Sequence, residues 1–157
     1  MAALTNPTTY KQFVETFGEL CLSHLGVKHF QVGQPSDIDM QTNIESFQRY
    51  PFCFLVPENA EMDRFGKFVL TFSFVVGDIA KNEEDLQVNV HNETLMIMQD
   101  IFAKVIMSAA SSVPYEVLTP IASITPFVEA YNNNLAGWTA IFDVQINSPF
   151  NLCDAAF

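Results

Sequence analysis

The stretch KFVLTFSFVVGDIA, Lys67–Ala80, decides how this chain is read. It is rich in β-branched and aromatic residues and is apolar on both faces for most of its length. A strand with that pattern is covered on both sides, so it predicts a sheet with further layers packed against it.

Upstream, the acidic segment ENAEMDRFG (58–66) reads as a turn or loop. Before it, YPFCFLVP (50–57) reads as a short apolar strand fenced by Pro51 and Pro57, because neither proline can donate to a ladder. The span 36–50 is mixed and polar, with room for a short helical turn. Val27–Val32 reads as a short strand closed by the turn GQPSD. From Thr9 to Leu25 the residues Tyr10, Phe13, Val14, Phe17, Leu20, Cys21 and Leu25 recur at spacings of three and four, which predicts a helix with one buried face. Thr9 with Gln12 forms a capping box, and Gly26 is the expected stop.

Downstream, KNEEDLQ (81–87) is polar and negative and leads into a second helix running to about Ala110. Val90, Leu95, Ile97, Met98, Ile101, Phe102, Val105 and Ile106 give it a wide apolar stripe, with acidic residues at its N-terminal end, where the helix dipole favours them. SSVPY breaks the helix. YEVLTPIASITPFVEA then reads as one broken strand or two short ones. In GWTAIFDVQI (137–146), Trp138, Ala140, Phe142, Val144 and Ile146 alternate onto a core face, leaving Thr139, Ile141, Asp143 and Gln145 on the other. That second face holds one charge, so it is covered by a helix or buried against a neighbouring subunit. The preceding NNNLAG supplies residues that tolerate a positive φ and make a tight turn. The order α-β-β-β-α-β-β predicts a single α+β domain over 1–157, a mainly antiparallel sheet packed with two helices, and a short flexible tail from about 148 to 157.

Composition bounds the function. A chain of 157 residues is long enough to bury about two thirds of its unfolded surface around one core. Hydrophobic residues reach 49% with 15 phenylalanines, while charged residues are only 16% against a usual value of about 25%. That balance matches the charge-poor, aromatic-rich centres of subunit interfaces and predicts a permanent assembly. The net charge of −11 disfavours nucleic-acid phosphate and anionic lipid, and Lys104 is the last basic residue. Cys21, Cys53 and Cys153 are odd in number with no CxxC pair, which argues against a disulfide framework and a zinc knuckle and for a reducing compartment. No apolar run approaches the roughly 18 residues of a membrane helix, and no secretory leader pattern opens the chain.

No motif for catalysis stands out. GxxxxGK[ST], GxGxxG and GxSxG are all absent from the sequence. Glu83, Glu84 and Asp85 are consecutive and point in different directions, as in a solvated helix start. Asp37 and Asp39 could share one face toward a hard cation, yet no twelve-residue ligand loop follows. Cys21 and His24 could face a metal on the first helix only with ligands from distant segments such as Cys53, so separate core or surface roles are the simpler reading. The run LMIMQDIFAKVIM reads as core or interface rather than a cofactor pocket. No enzyme activity, cofactor or metal is therefore expected.

Set around the two helices, RYPFCFLVP, LTFSFVVGDIAKNEEDLQ and NNNLAGWTAIFDVQI resemble the small tail-completion, tail-terminator and neck-ring proteins of tailed bacteriophages, including versions from crAss-like phages of gut Bacteroidetes. The likeness spans about Thr9 to Pro149. It implies a noncatalytic virion part, made in the host cytoplasm. Identical subunits would close into a ring, commonly sixfold or twelvefold, around the channel between head and tail. Its partners would be other neck, portal or tail proteins, with no membrane and no sequence-specific nucleic acid. Strands Lys67–Ala80 and Gly137–Ile146 would belong to the sheet, and loops 57–66, 81–87 and 131–136 would touch adjacent rings. The ring-contact candidates are Glu83, Glu84, Asp85, Asn132, Asn133, Asn134, Trp138 and Ile141. An acidic lumen would let DNA pass without sticking. The alternative is a small noncatalytic module that holds a peptide or apolar ligand between the second helix and the sheet.

Overall fold

The computed structural model describes residues 9–34, 51–64, 67–79, 88–109, 115–128 and 135–146. Helix α1 (Tyr10–Ser23) starts at the expected cap. Thr9 is extended, accepts the Gln12 N–H on its hydroxyl at 3.2 Å and gives its own N–H to Gln12 Oε1 at 3.0 Å. The helix ends earlier than the sequence suggested. His24 caps it in an extended conformation with its N–H on the Cys21 carbonyl, and Gly26 has no left-handed backbone, so the glycine is not the stop. Leu25 consequently leaves the helical face and is 95% exposed.

The remaining elements are β1 (His29–Val32), β2 (Phe52–Met62), β3 (Phe68–Ile79), α2 (Asn89–Ala109), β4 (Tyr115–Val128) and β5 (Leu135–Ile146). They form an α+β fold with one five-stranded sheet in the order β1-β2-β3-β5-β4. The pairings β2–β3, β3–β5 and β5–β4 are antiparallel and β1–β2 is parallel, so the sheet is mixed but mainly antiparallel. Strand β1 begins at His29 rather than Val27.

Further sequence expectations about β2 and the second helix need correction. Strand β2 is not stopped by Pro57. It continues to Met62 through a bulge between Pro57 and Asn59, beyond the last β1 pairing at Leu55, and a bulge or an unpaired edge is where a strand tolerates proline. Most of the supposed 58–66 loop is therefore strand. Its residues Glu58–Met62 are all exposed, so no buried period marks them. The turn itself is tight: Asp63 N–H bonds the Lys67 carbonyl at 2.9 Å, and Lys67 N–H bonds Asp63 Oδ1 at 3.0 Å. Helix α2 carries no acidic residue in its first turn, because it begins at Asn89 and not in the acidic run. Within its stripe Leu95 and Ile106 are exposed, while Thr94 is buried and satisfies its hydroxyl on the Val90 carbonyl at 2.6 Å. Strand β4, by contrast, agrees with the reading of one broken strand: it is continuous, and its register against β5 shifts between Leu118 and Ser123.

Strand alternation sorts the core into two faces. Both helices pack on the face made by Cys53 and Leu55 of β2, Leu70, Phe72, Phe74 and Val76 of β3, and Ala140, Phe142, Val144 and Ile146 of β5. Phe17 sits at the centre, with ring centroids 5.1 Å from Phe74 and 5.7 Å from Phe142. Phe102 of α2 meets the same two rings edge-on. Each such buried phenylalanine contributes about 1.5–3 kcal/mol through area removed from water. The opposite face carries a smaller cluster of Phe52, Phe54, Val56, Val75 and Leu135, with Phe127 against it. Strand β3 is thus buried on both faces only over its second half. In its first half Val69, Thr71 and Ser73 are half-buried.

Candidate functional site

Of the ring-contact candidates, Glu83, Glu84, Asp85, Asn132, Asn133 and Asn134 lie outside the described residues, as do Asp37, Asp39, Cys153, the span 35–50, loop 81–87 and the tail. Trp138 and Ile141 are described, and the pleat sends them to opposite faces. Ile141 lies on the face away from α1 and α2, in register with Ser73 of β3 and Ser123 of β4, and is 40% exposed. Its same-face neighbours Thr139, Asp143 and Gln145 are half-buried. Asp143, the one charge that β5 puts on this face, accepts the Thr71 hydroxyl at 2.6 Å. Neither described helix covers this face.

Trp138 lies on the helix face, partly buried against the main core. Its indole N–H bonds the His91 carbonyl at 2.8 Å, and the His91 ring donates from Nε2 to the Phe127 carbonyl at 3.2 Å. These contacts dock the start of α2 on β4 and β5. The interface between α2 and the sheet is filled by Phe74, Phe102, Phe142, Met98 and Val105, all nearly or fully buried.

The residues weighed as metal ligands separate into two pairs. Cys21 and Cys53 come together from α1 and β2 inside the core, both free and without solvent exposure. Burial foremost, then the thiol–thiol hydrogen bond and the charge interaction with Cys21, push the Cys53 thiol well above the ordinary thiol range. His24 turns instead toward α2. Its Nδ1 accepts the Gly26 N–H at 2.9 Å, which in the neutral ring leaves the proton on Nε2, 3.0 Å from the Asp100 carboxylate. Among the described residues no group of three or more His, Cys, Asp or Glu could hold a metal ion. The Cys21–Cys53 juxtaposition was missed in the sequence because it is non-local. The signal was there in part: Cys21 follows Phe17 by one helical turn, and Cys53 alternates with Leu55 on an inward face.

At the β2–β3 turn, Glu61, Met62, Asp63, Lys67, Val69 and Gln145 line a cleft of 190 Å³. The apolar side chains of Leu22, Leu25, Met62, Val88, Met96 and Val128 are all more than half exposed. No helix among the described residues is long and apolar enough to cross a membrane. A search of protein-family models finds no match to the chain. None of the curated proteins matches it either.

Proposed function

We propose that this chain is a noncatalytic structural subunit of a tailed-phage particle, assembling into a ring at the head–tail connection or tail. The observation that carries the reading is the distribution of exposed apolar side chains. Each of Leu22, Leu25, Met62, Val88, Met96 and Val128 is more than half exposed. Val88 and Val128 lie near one another where His91 of α2 meets Phe127 of β4, and the end of α1 lies beside α2 through His24 and Asp100, while Met62 stands at the opposite end of the sheet. A ring built by one rotation uses two different patches on every copy, so dispersed apolar contacts suit it better than one self-complementary patch would. The face bearing Ile141, left uncovered by α1 and α2, adds to the surface that a neighbour could shield.

The same reading places the subunit in the virion, with further copies and adjoining neck, portal or tail proteins as partners. The filled α2–sheet interface favours it over a module that holds a ligand there. Native mass spectrometry of the full-length protein, alone and mixed with the products of neighbouring genes, tests the proposal. A single closed oligomer of defined copy number is expected. Solitary molecules at high micromolar concentration in both samples would overturn it.

A further inference from the structure

Helix α1 runs along β3 in matched steps. Phe13 packs at a tilt against Phe72 with centroids 5.2 Å apart, and Phe17 meets Phe74 edge-on at 5.1 Å. Four helical residues advance about 6 Å and two strand residues about 6.6 Å, so the two elements stay in phase. The next step carries Cys21 to the level of Val76, whose partner across β2 is Cys53. Phe30 of β1, the other neighbour of Cys53, also lies close to α1, its ring centroid 6.3 Å from that of Phe17. The packing register therefore brings the two cysteines together, both fully buried in the same core cluster, where their thiols interact.

We propose that Cys21 and Cys53 form a latent redox latch, in which a small-molecule disulfide oxidises the pair to an intramolecular disulfide tying the last turn of α1 to β2. One cysteine, as thiolate, attacks a sulfur of the oxidant and displaces a small thiolate, leaving a mixed disulfide on the protein. The second cysteine then attacks the protein sulfur and displaces the other small thiolate. Two electrons pass to the oxidant, and the two cysteine protons end on the two released thiols.

Burial controls when this happens. Neither sulfur is exposed, and a water-poor surround disfavours the thiolate that exchange requires, so the closed fold holds the pair reduced. Reaction awaits opening of the end of α1, which is secured at its boundary by the His24 cap and the His24–Asp100 contact. The latch does not depend on the ring reading. Failure of either leaves the other standing.

The test uses the full chain incubated with oxidised glutathione at mildly alkaline pH, with and without sub-denaturing urea. Free thiols are blocked with N-ethylmaleimide, and peptides are mapped by mass spectrometry without reduction. The expected product is a Cys21–Cys53 cross-linked peptide pair, two hydrogens lighter than its parts, forming faster as urea rises. The oxidised protein should melt several degrees higher than the reduced form, and dithiothreitol should reverse the shift. Recovery of both cysteines as maleimide or glutathione adducts after a cycle of unfolding and refolding in oxidant would overturn the proposal. So would a bridge from either one to Cys153 as the main product. In the double variant Cys21→Ala/Cys53→Ala the redox-dependent melting shift should vanish, and its persistence would count equally against the latch.

Discussion

Trp138 donates its indole N–H to the main-chain carbonyl of His91 at 2.8 Å, while the two rings meet edge-on with centroids 5.6 Å apart. One side chain of β5 thereby fixes the first turns of α2, and His91 extends the tie to β4 through Phe127. The hydrogen bond and the ring packing are separable by mutation.

Trp138→Phe keeps a ring on the core but loses the donor, and should cost about 1 kcal/mol. Trp138→Ala loses the packing as well and should cost about 2–4 kcal/mol, below the full range for a buried aromatic because the indole is only partly buried. Urea unfolding followed by circular dichroism measures both. Equal losses would mean that the ring contributes nothing beyond its N–H.

Gly137 faces Gly77 across β3 and β5, and a methyl group at 137 would run into the Val76 carbonyl. The obstacle is backbone in the middle of a sheet and cannot step aside. Gly137→Ala should destabilise by about 3 kcal/mol or more. Gly26→Ala, whose nearest neighbours would be the His24 ring and the tip of Ile97 at 3.2–3.3 Å, should stay within about 1 kcal/mol. Similar melting temperatures for the two variants would contradict this ranking.

Alkaline stability should report on Cys53. Its folded-state thiol is held above its unfolded value, so the folded protein keeps a proton that the unfolded chain gives up as pH rises. The stability from this group is complete below the unfolded thiol range. Above about pH 8.5 it falls by at most about 1.4 kcal/mol per pH unit, until the folded thiol also ionises. Denaturation curves from pH 7 to 10 on protein kept reduced should show this decline, and Cys53→Ala should flatten it. An unchanged slope in the variant would assign the decline to other groups.

Ile141→Glu places a charge on the face that α1 and α2 leave uncovered, between Ser73 and Ser123. The isolated subunit should lose no more than about 0.5 kcal/mol, as for a surface position. Assembly should weaken at least tenfold if this face is a subunit contact. Sedimentation velocity at matched concentrations reads the difference, and an unaltered oligomer would remove this face from the interface.

Much of the fold was legible because its signals are local. The Thr9–Gln12 cap, the three- and four-residue spacing of Phe13, Phe17 and Cys21, and the inward alternation from Trp138 to Ile146 each depend on a few adjacent positions. What escaped depends on neighbours far along the chain. Pro57 reads as a terminator unless β1 is known to pair no further than Leu55. The parallel β1–β2 pairing leaves no short-range mark, and the meeting of Cys21 with Cys53 follows only once α1 is laid in phase with β3. The proposed contact residues were less legible still. Ile141 and Trp138 are three residues apart in one strand, yet the pleat gives the first to the outer face and the second to a helix.

Strand β4 lies at one margin of the sheet, and Pro120 and Pro126 within it lack the N–H that an incoming strand would bind. That border is a poor template for recruiting an extended chain, so fibril-like stacking through it is discouraged although the polypeptide is rich in oily residues. Copies that met there through side chains instead would have their angle and number set by shape, which permits growth to stop.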